Sequence, residues 1–136
     1  MDVVQETFTT AVRHIGSLRE DGRFAGWLFA IARQRCLQRL RQRGRAIVEP
    51  VEELGDVEDP AENAVDVIFR REQSELIDRA IATLPEPQRA AILLHYFLEL
   101  PLVEMAEVMQ SPVGTVKSRL HFARLALRRA LSEEYK

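Results

Sequence analysis

The side chains in this sequence best suited to chemistry are hydrogen-bond donors gathered in one short run. In SPVGTVKSRLHFAR, from Ser111 to Arg124, stand Thr115, Lys117, Ser118, Arg119, His121 and Arg124, with no carboxylate among them. Arg and Lys donate to guanine O6 and N7, hydroxyls bond base edges or phosphates, and clustered cations release counterions from a polyanion. The chemistry implied is recognition of an acceptor-rich, anionic surface rather than bond making. The rest of the chain lacks the usual catalytic groupings. His14, His95 and His121 are scattered without metal-ligand spacing, and Cys36 is the only cysteine, so no metal site and no internal disulfide are expected. The thiol itself reads as a small buried hydrophobe. The acidic pairs Glu52–Glu53 and Glu133–Glu134 fall in a linker and a tail, where carboxylates are solvated rather than set up for acid–base work. No nucleophile motif, glycine-rich phosphate loop or cofactor fingerprint occurs, so neither an enzyme nor a cofactor is expected.

The donor run must be carried by a helix. Val113, Val116, Leu120, Ala123 and Leu127 follow steps of three and four, which turns them inward. Thr115, Lys117, Ser118, Arg119, His121, Phe122 and Arg124 are then expected on the outer face. Ser111 and Pro112 supply a cap and a first-turn residue. A shorter helix from Pro101 to Met109 precedes a break at Gln110–Pro112, and the pair has the outline of a helix-turn-helix. Upstream, an apolar segment from Pro87 to Leu98 and a helix from Val65 to about Leu84 complete a four-helix C-terminal domain over residues 65–136. Residues 45–64 are acidic, hold Pro50 and Pro60, show no sustained apolar period and read as a flexible linker. Residues 1–44 hold two helices. One carries Val4, Phe8, Val12 and Ile15 and stops at Gly16. The other runs from about Arg23 to Arg43 with Phe24, Trp27, Leu28 and Ile31 on one side, Trp27 being taken as core, and ends at Gly44. The fold class is all-α.

Charge is segregated along the chain although the net charge is only −2. From Arg13 to Arg45 nine Arg stand against two acids, a net of +7, whereas Ala46 to Glu75 carries −8. From Val113 to Leu131 there are five basic residues and no acid. Two basic blocks separated by an acidic connector suit two surfaces facing a polyanion. Solvated helix faces around an acidic linker would give the same distribution, so charge alone leaves both readings open. No apolar stretch approaches the roughly 20 residues that cross a bilayer, and the start, MDVVQETF, lacks the order of a secretory signal, so a cytoplasmic protein is expected.

SPVGTVKSRLHFARLALRRAL, preceded by LPEPQRAAILLHYFLELPLVEMAEVM, resembles the fourth domain of extracytoplasmic-function sigma factors of RNA polymerase. DVVQETFTTAVRHI followed by GRFAGWLFAIARQRCLQRLRQR resembles the second domain of the same family. The resemblance implies a factor that directs core RNA polymerase to promoters. It places Lys117, Ser118, Arg119 and His121 at the minus-35 contact positions and Arg124 on a phosphate. It also places the loop Ile15–Gly22 with Arg33, Gln34 and Gln38 at the minus-10 element, and Asp2, Val3, Gln5, Glu6 and Phe8 against the polymerase clamp helices. The fourth domain would meet the polymerase flap, and an anti-sigma factor is a further expected partner.

The sequence departs from the family pattern in three places. The family has helical sequence ahead of DVVQE, so the second domain reads as shortened, with the stripe of Phe24, Trp27 and Ile31 uncovered unless a partner or second copy masks it. Gln34 stands where Asn is expected. Pro101 replaces a Ser or Thr cap, and Gln110 occupies a turn where Gly is common. Two alternatives follow: a promoter-binding competitor or inactive remnant, or a protein-interaction module that docks an anti-sigma factor.

Overall fold

The computed structural model describes residues 2–18, 21–44, 65–69 and 75–134, and every regular element among them is helical. The linker expected at 45–64 lies outside the described residues. In chain order the helices are α1 (Val3–His14), α2 (Phe24–Gln42), α3 (65–69), α4 (Glu75–Ala82), α5 (Glu86–Ile92), α6 (Leu102–Met109) and α7 (Val113–Glu134).

Helix α1 starts at a capping box. The Asp2 carboxylate accepts from the Gln5 amide at 2.8 Å, and the Gln5 side chain accepts from the Asp2 amide at 3.1 Å. It pairs with α2 through buried Thr7, Ala11 and Leu37. Two polar ties cross that pair: Arg39 bonds Glu6 at 2.8 Å, and Arg35 donates to the Thr10 hydroxyl at 2.9 Å.

The main core belongs to the C-terminal helices. Ile77, Ile81, Ile92, Leu94, Met105, Met109, Val116, Leu120, Leu127 and Leu131 are buried together, around an α7 whose Ala123 is fully covered. Each large side chain of this set contributes about 1.5–3 kcal/mol on leaving water. Four of the five inward positions expected on α7 are buried, and Val113 is half-buried.

After Ile92 the helix widens into a π turn, Leu93–Phe97, closed by the Leu98 amide on the Leu93 carbonyl at 3.1 Å. Leu94 faces the core, while His95 and Tyr96 reach the side of α7.

Helix α2 is not left bare. It lies against α6, with Gly26 buried at the crossing, so the C-terminal helices cover part of the stripe expected to need a partner or second copy. A Cβ on Gly26 would meet Val108 Cγ2 at 3.2 Å and Leu100 Cδ1 at 3.3 Å, so the close approach depends on glycine. Trp27, read as core, lines a 410 Å³ cleft at this junction and is only partly buried. Cys36, expected to be buried, is exposed, because the buried line of α2 passes through Leu37 instead.

Candidate nucleic-acid interface

The helix-turn-helix is α6, a tight turn and α7. Gln110 closes α6 in the left-handed region at φ 50°, ψ 47°. The Ser111 amide returns to the Ala106 carbonyl at 3.0 Å and the Gln110 amide to Glu107 at 3.2 Å, which is the Schellman pattern. The Ser111 hydroxyl, expected to cap α7, donates to the Met109 carbonyl at 3.0 Å and accepts from Arg119 at 3.0 Å.

The outer face of α7 differs from the sequence expectation. Thr115, Ser118, Arg119 and Arg124 are only 4%, 3%, 5% and 5% exposed. Successive helical residues turn by about 100°, so Arg119 points about 200° away from Lys117, and both cannot face outward. Thr115, Ser118 and Arg119 instead line a 250 Å³ pocket with Pro85, Pro87, Gln88 and Phe122. Arg124 does lie two turns beyond Lys117 on the same side, but there the π turn rises over α7. Its guanidinium donates to the Tyr96 hydroxyl at 2.8 Å, sits 3.1 Å from His95 Nε2 and lies over the Tyr96 ring. It is a packing residue, not an open phosphate contact.

What α7 does present is a stripe of exposed Gly114, exposed Lys117, half-exposed His121 and Leu125, and exposed Arg128, with Phe122 at its margin and in edge contact with His121. Steps of three and four join them, which is the helical rule that should have added Arg128 and removed Arg119 from the reading. A cation, an imidazole and an aromatic edge on the first turns of the second helix can hydrogen-bond and pack against groove edges.

The other expected site residues divide in the same way. Gln34 and Gln38 are exposed, whereas Arg33 is mostly buried in a two-pronged ion pair with Glu86, at 2.7 and 3.1 Å. Gln34, Gln38 and Arg33 line a 490 Å³ cleft with Leu37 and Arg41, and its far wall is Val108–Ser111 of the helix-turn-helix. On α1, Asp2 and Gln5 form the cap and Glu6 is tied to Arg39, which holds its carboxyl below the ordinary value. Phe8 is exposed, with Val4 and Val12 on the same face, while Val3 is half-buried. Among the described residues no group of His, Cys, Asp and Glu is placed to hold a metal, and no helix is long and apolar enough to cross a membrane.

Comparison with known proteins matches residues 1–46 to Sigma-70 region 2 and residues 74–127 to Sigma-70 region 4. The ECF RNA polymerase sigma factor SigW of Bacillus subtilis is 34% identical over 97% of this chain and 75% of its own length. The ECF RNA polymerase sigma-E factor of Escherichia coli K12 is 36% identical over 93% of this chain and 70% of its own. Among solved structures, the sigma factor RpoE in complex with the anti-sigma factor NepR from Bartonella quintana has a similar fold, with a TM-score of 0.70 at 24% identity over 96% of this chain and 79% of that one.

Proposed function

This chain belongs to the extracytoplasmic-function sigma factors, the subunits that select promoters for bacterial RNA polymerase, and from that premise we propose that it reads the upstream duplex element with the exposed stripe of α7. Lys117, His121 and Phe122 would meet base edges in the major groove, and Arg128 would steady the neighbouring phosphates. The observation that carries the reading is the stripe itself: of the five cations on α7, the second helix of a helix-turn-helix, Lys117 and Arg128 lie exposed on the stripe, Arg129 is exposed beside it, and Arg119 and Arg124 are buried.

Gln34 and Gln38 on α2 would take up the single-stranded downstream element, with the exposed Arg41 near its backbone. The exposed Val4, Phe8 and Val12 of α1 supply an apolar face for core polymerase beside Asp2, Val3, Gln5 and Glu6. The polymerase performs the nucleotidyl chemistry, and the chain supplies address and register. The test is binding of core polymerase plus this chain to a library of promoter duplexes at graded salt. Enrichment of one upstream element, lost with Lys117→Ala and weakening steeply as salt rises, supports the reading. Salt-independent association without sequence enrichment would favour a protein-docking module instead.

A further inference from the structure

We propose that the pocket between the start of α5 and the first turns of α7 is a binding site for a small monocarboxylate with an apolar body, and that its occupancy is felt at the exposed stripe of α7 through Phe122. The site stands on its own geometry. Any consequence for promoter choice rests on the function proposed above.

The pocket has a polar floor and apolar sides. Its 250 Å³ is more than the roughly 150 Å³ cavity that encloses a benzene ring and less than the pockets of about 300–1,000 Å³ that hold drug-sized ligands. Thr115 and Arg119 are buried, whereas Pro85 is exposed and Gln88 and Phe122 are half-exposed, so the first two lie deep and the others form the rim. Pro85, Pro87 and Phe122 offer apolar surface to a ring or a branched chain.

The floor selects the head group. Arg119 donates through Nη1 to the Ser111 hydroxyl at 3.0 Å, which fixes the guanidinium in place, while its Nε–H is buried and meets no acceptor among the described residues. No carboxylate is among the described residues that line the pocket. A buried donor on a buried cation gains from an anion that brings its own acceptor oxygens. The planar edge of a guanidinium matches a carboxylate, and the Thr115 hydroxyl and the Gln88 amide can donate to the same group. One guanidinium between proline and phenyl walls compensates one negative charge and not two, which favours a monocarboxylate over inorganic phosphate.

Two contacts carry occupancy outward. Phe122 is a wall of the pocket and meets the His121 ring edge-on at 5.2 Å between centres, and His121 belongs to the exposed stripe. Arg119 ties the floor to Ser111, next to the Gln110 turn that joins α6 to α7. A ring seated against Phe122 therefore restrains the side chain that borders the reading residues.

The experiment titrates the full chain with benzoate, with benzamide as the neutral isostere and inorganic phosphate as an anion without a body, and follows the Arg119 Nε–H and His121 ring resonances by nuclear magnetic resonance. Benzoate should shift both signals saturably and together, and bind at least about tenfold tighter than either control. Thr115→Val keeps the side-chain shape and removes one donor, so it should weaken benzoate about tenfold with an unchanged unfolding midpoint; it spares the test from the stability loss expected of Arg119→Ala. No saturable shift at Arg119 overturns the site. Equal binding of benzamide or phosphate overturns the ligand class, and equal benzoate affinity in Thr115→Val places the ligand elsewhere. Saturation at Arg119 with a silent His121 overturns the coupling. With core polymerase, benzoate should change the preference for the selected upstream element over a scrambled one, and an unchanged preference overturns the effect on promoter choice. If no element is selected with or without benzoate, the proposed function fails, and the resonances still decide the site and the coupling.

Discussion

Arg124 on α7 donates to the Tyr96 hydroxyl at 2.8 Å, and that hydroxyl donates in turn to the Asp66 carboxylate of α3. The ring of Tyr96 stacks on Phe69 at 4.2 Å, so one phenol joins three helical segments. A basic residue on the second helix of the helix-turn-helix is here committed to holding the start of the C-terminal helices against the middle of α7.

Tyr96→Phe keeps the stacking and removes the hydroxyl, which takes one partner each from Arg124 and Asp66 in a partly buried site. The expected loss is about 1–3 kcal/mol in denaturant unfolding. Burial and the Asp66 hydrogen bond push the phenol well above its ordinary value. A raised folded value favours the neutral form, so this contribution is intact below about pH 10 and lost as pH climbs toward the folded value. Wild type should therefore lose stability at alkaline pH more steeply than the variant. Equal alkaline slopes would mean the network contributes nothing.

Lys117→Ala and Arg119→Ala should separate recognition from architecture. Lys117 is exposed on the stripe, so its loss should weaken DNA binding, reduce the salt slope by roughly one and leave unfolding unchanged. Arg119 is buried and bonded to Ser111, so Arg119→Ala should lower stability by about 1–3 kcal/mol through loss of that bond and its packing. Any loss of DNA affinity with Arg119→Ala should follow the unfolded fraction. Sequence preference altered by Arg119→Ala at full stability would restore that residue to the reading face.

Lys117 and Arg119 lie about 200° apart on a helix, so the amino-acid order excludes that both face outward, whereas the exposure of Arg124 is not legible there. Apolar steps such as Val116–Leu120–Ala123–Leu127 report the core face of a helix because burial repeats with the helical period. The bounds of α1, α2, α6 and α7 are legible in the sequence for the same reason, together with the stops at Gly16, Gly44 and Gln110. Polar residues between those steps carry no comparable signal. Whether Arg124 meets solvent depends on the π turn at Leu93–Phe97, and a one-residue widening leaves no mark in the apolar pattern. Arg33–Glu86 and Arg23–Glu107 join positions separated by an acidic segment without periodicity, so local spacing could not pair them. Gly26 looks like an ordinary helical interruption until α6 is seen against it.

Glu6 and Arg39 give an acid-side test. The Arg39 hydrogen bond and charge hold the Glu6 carboxyl below its ordinary value. A depressed folded value means the α1–α2 tie is complete above the ordinary carboxylate range and fades as pH falls through the folded value. Protection of the α1 amides, measured relative to intrinsic exchange at each pH, should fall on acidification in wild type. Glu6→Gln should exchange faster at neutral pH and show a smaller acid dependence. An acid response retained in full by the variant would assign it to other carboxylates.

Gln110→Gly tests the turn that sets the angle between α6 and α7. A side chain at φ 50° brings Cβ close to the following carbonyl at a cost of roughly 1–2 kcal/mol, which glycine avoids. Glycine also gains freedom in the unfolded chain, which returns about 0.4–1 kcal/mol of that benefit. The net expectation is a stabilisation of up to about 1 kcal/mol, seen as a later unfolding midpoint with the same denaturant slope. Gln110 lies on the wall of the cleft facing Gln34 and Gln38, so the substitution also removes a polar side chain from that space. Promoter selectivity should survive, because the amide bonds of Ser111 and Gln110 to Ala106 and Glu107 are made by backbone alone. A destabilised variant would mean that the Gln110 side chain makes a contact worth more than the backbone relief.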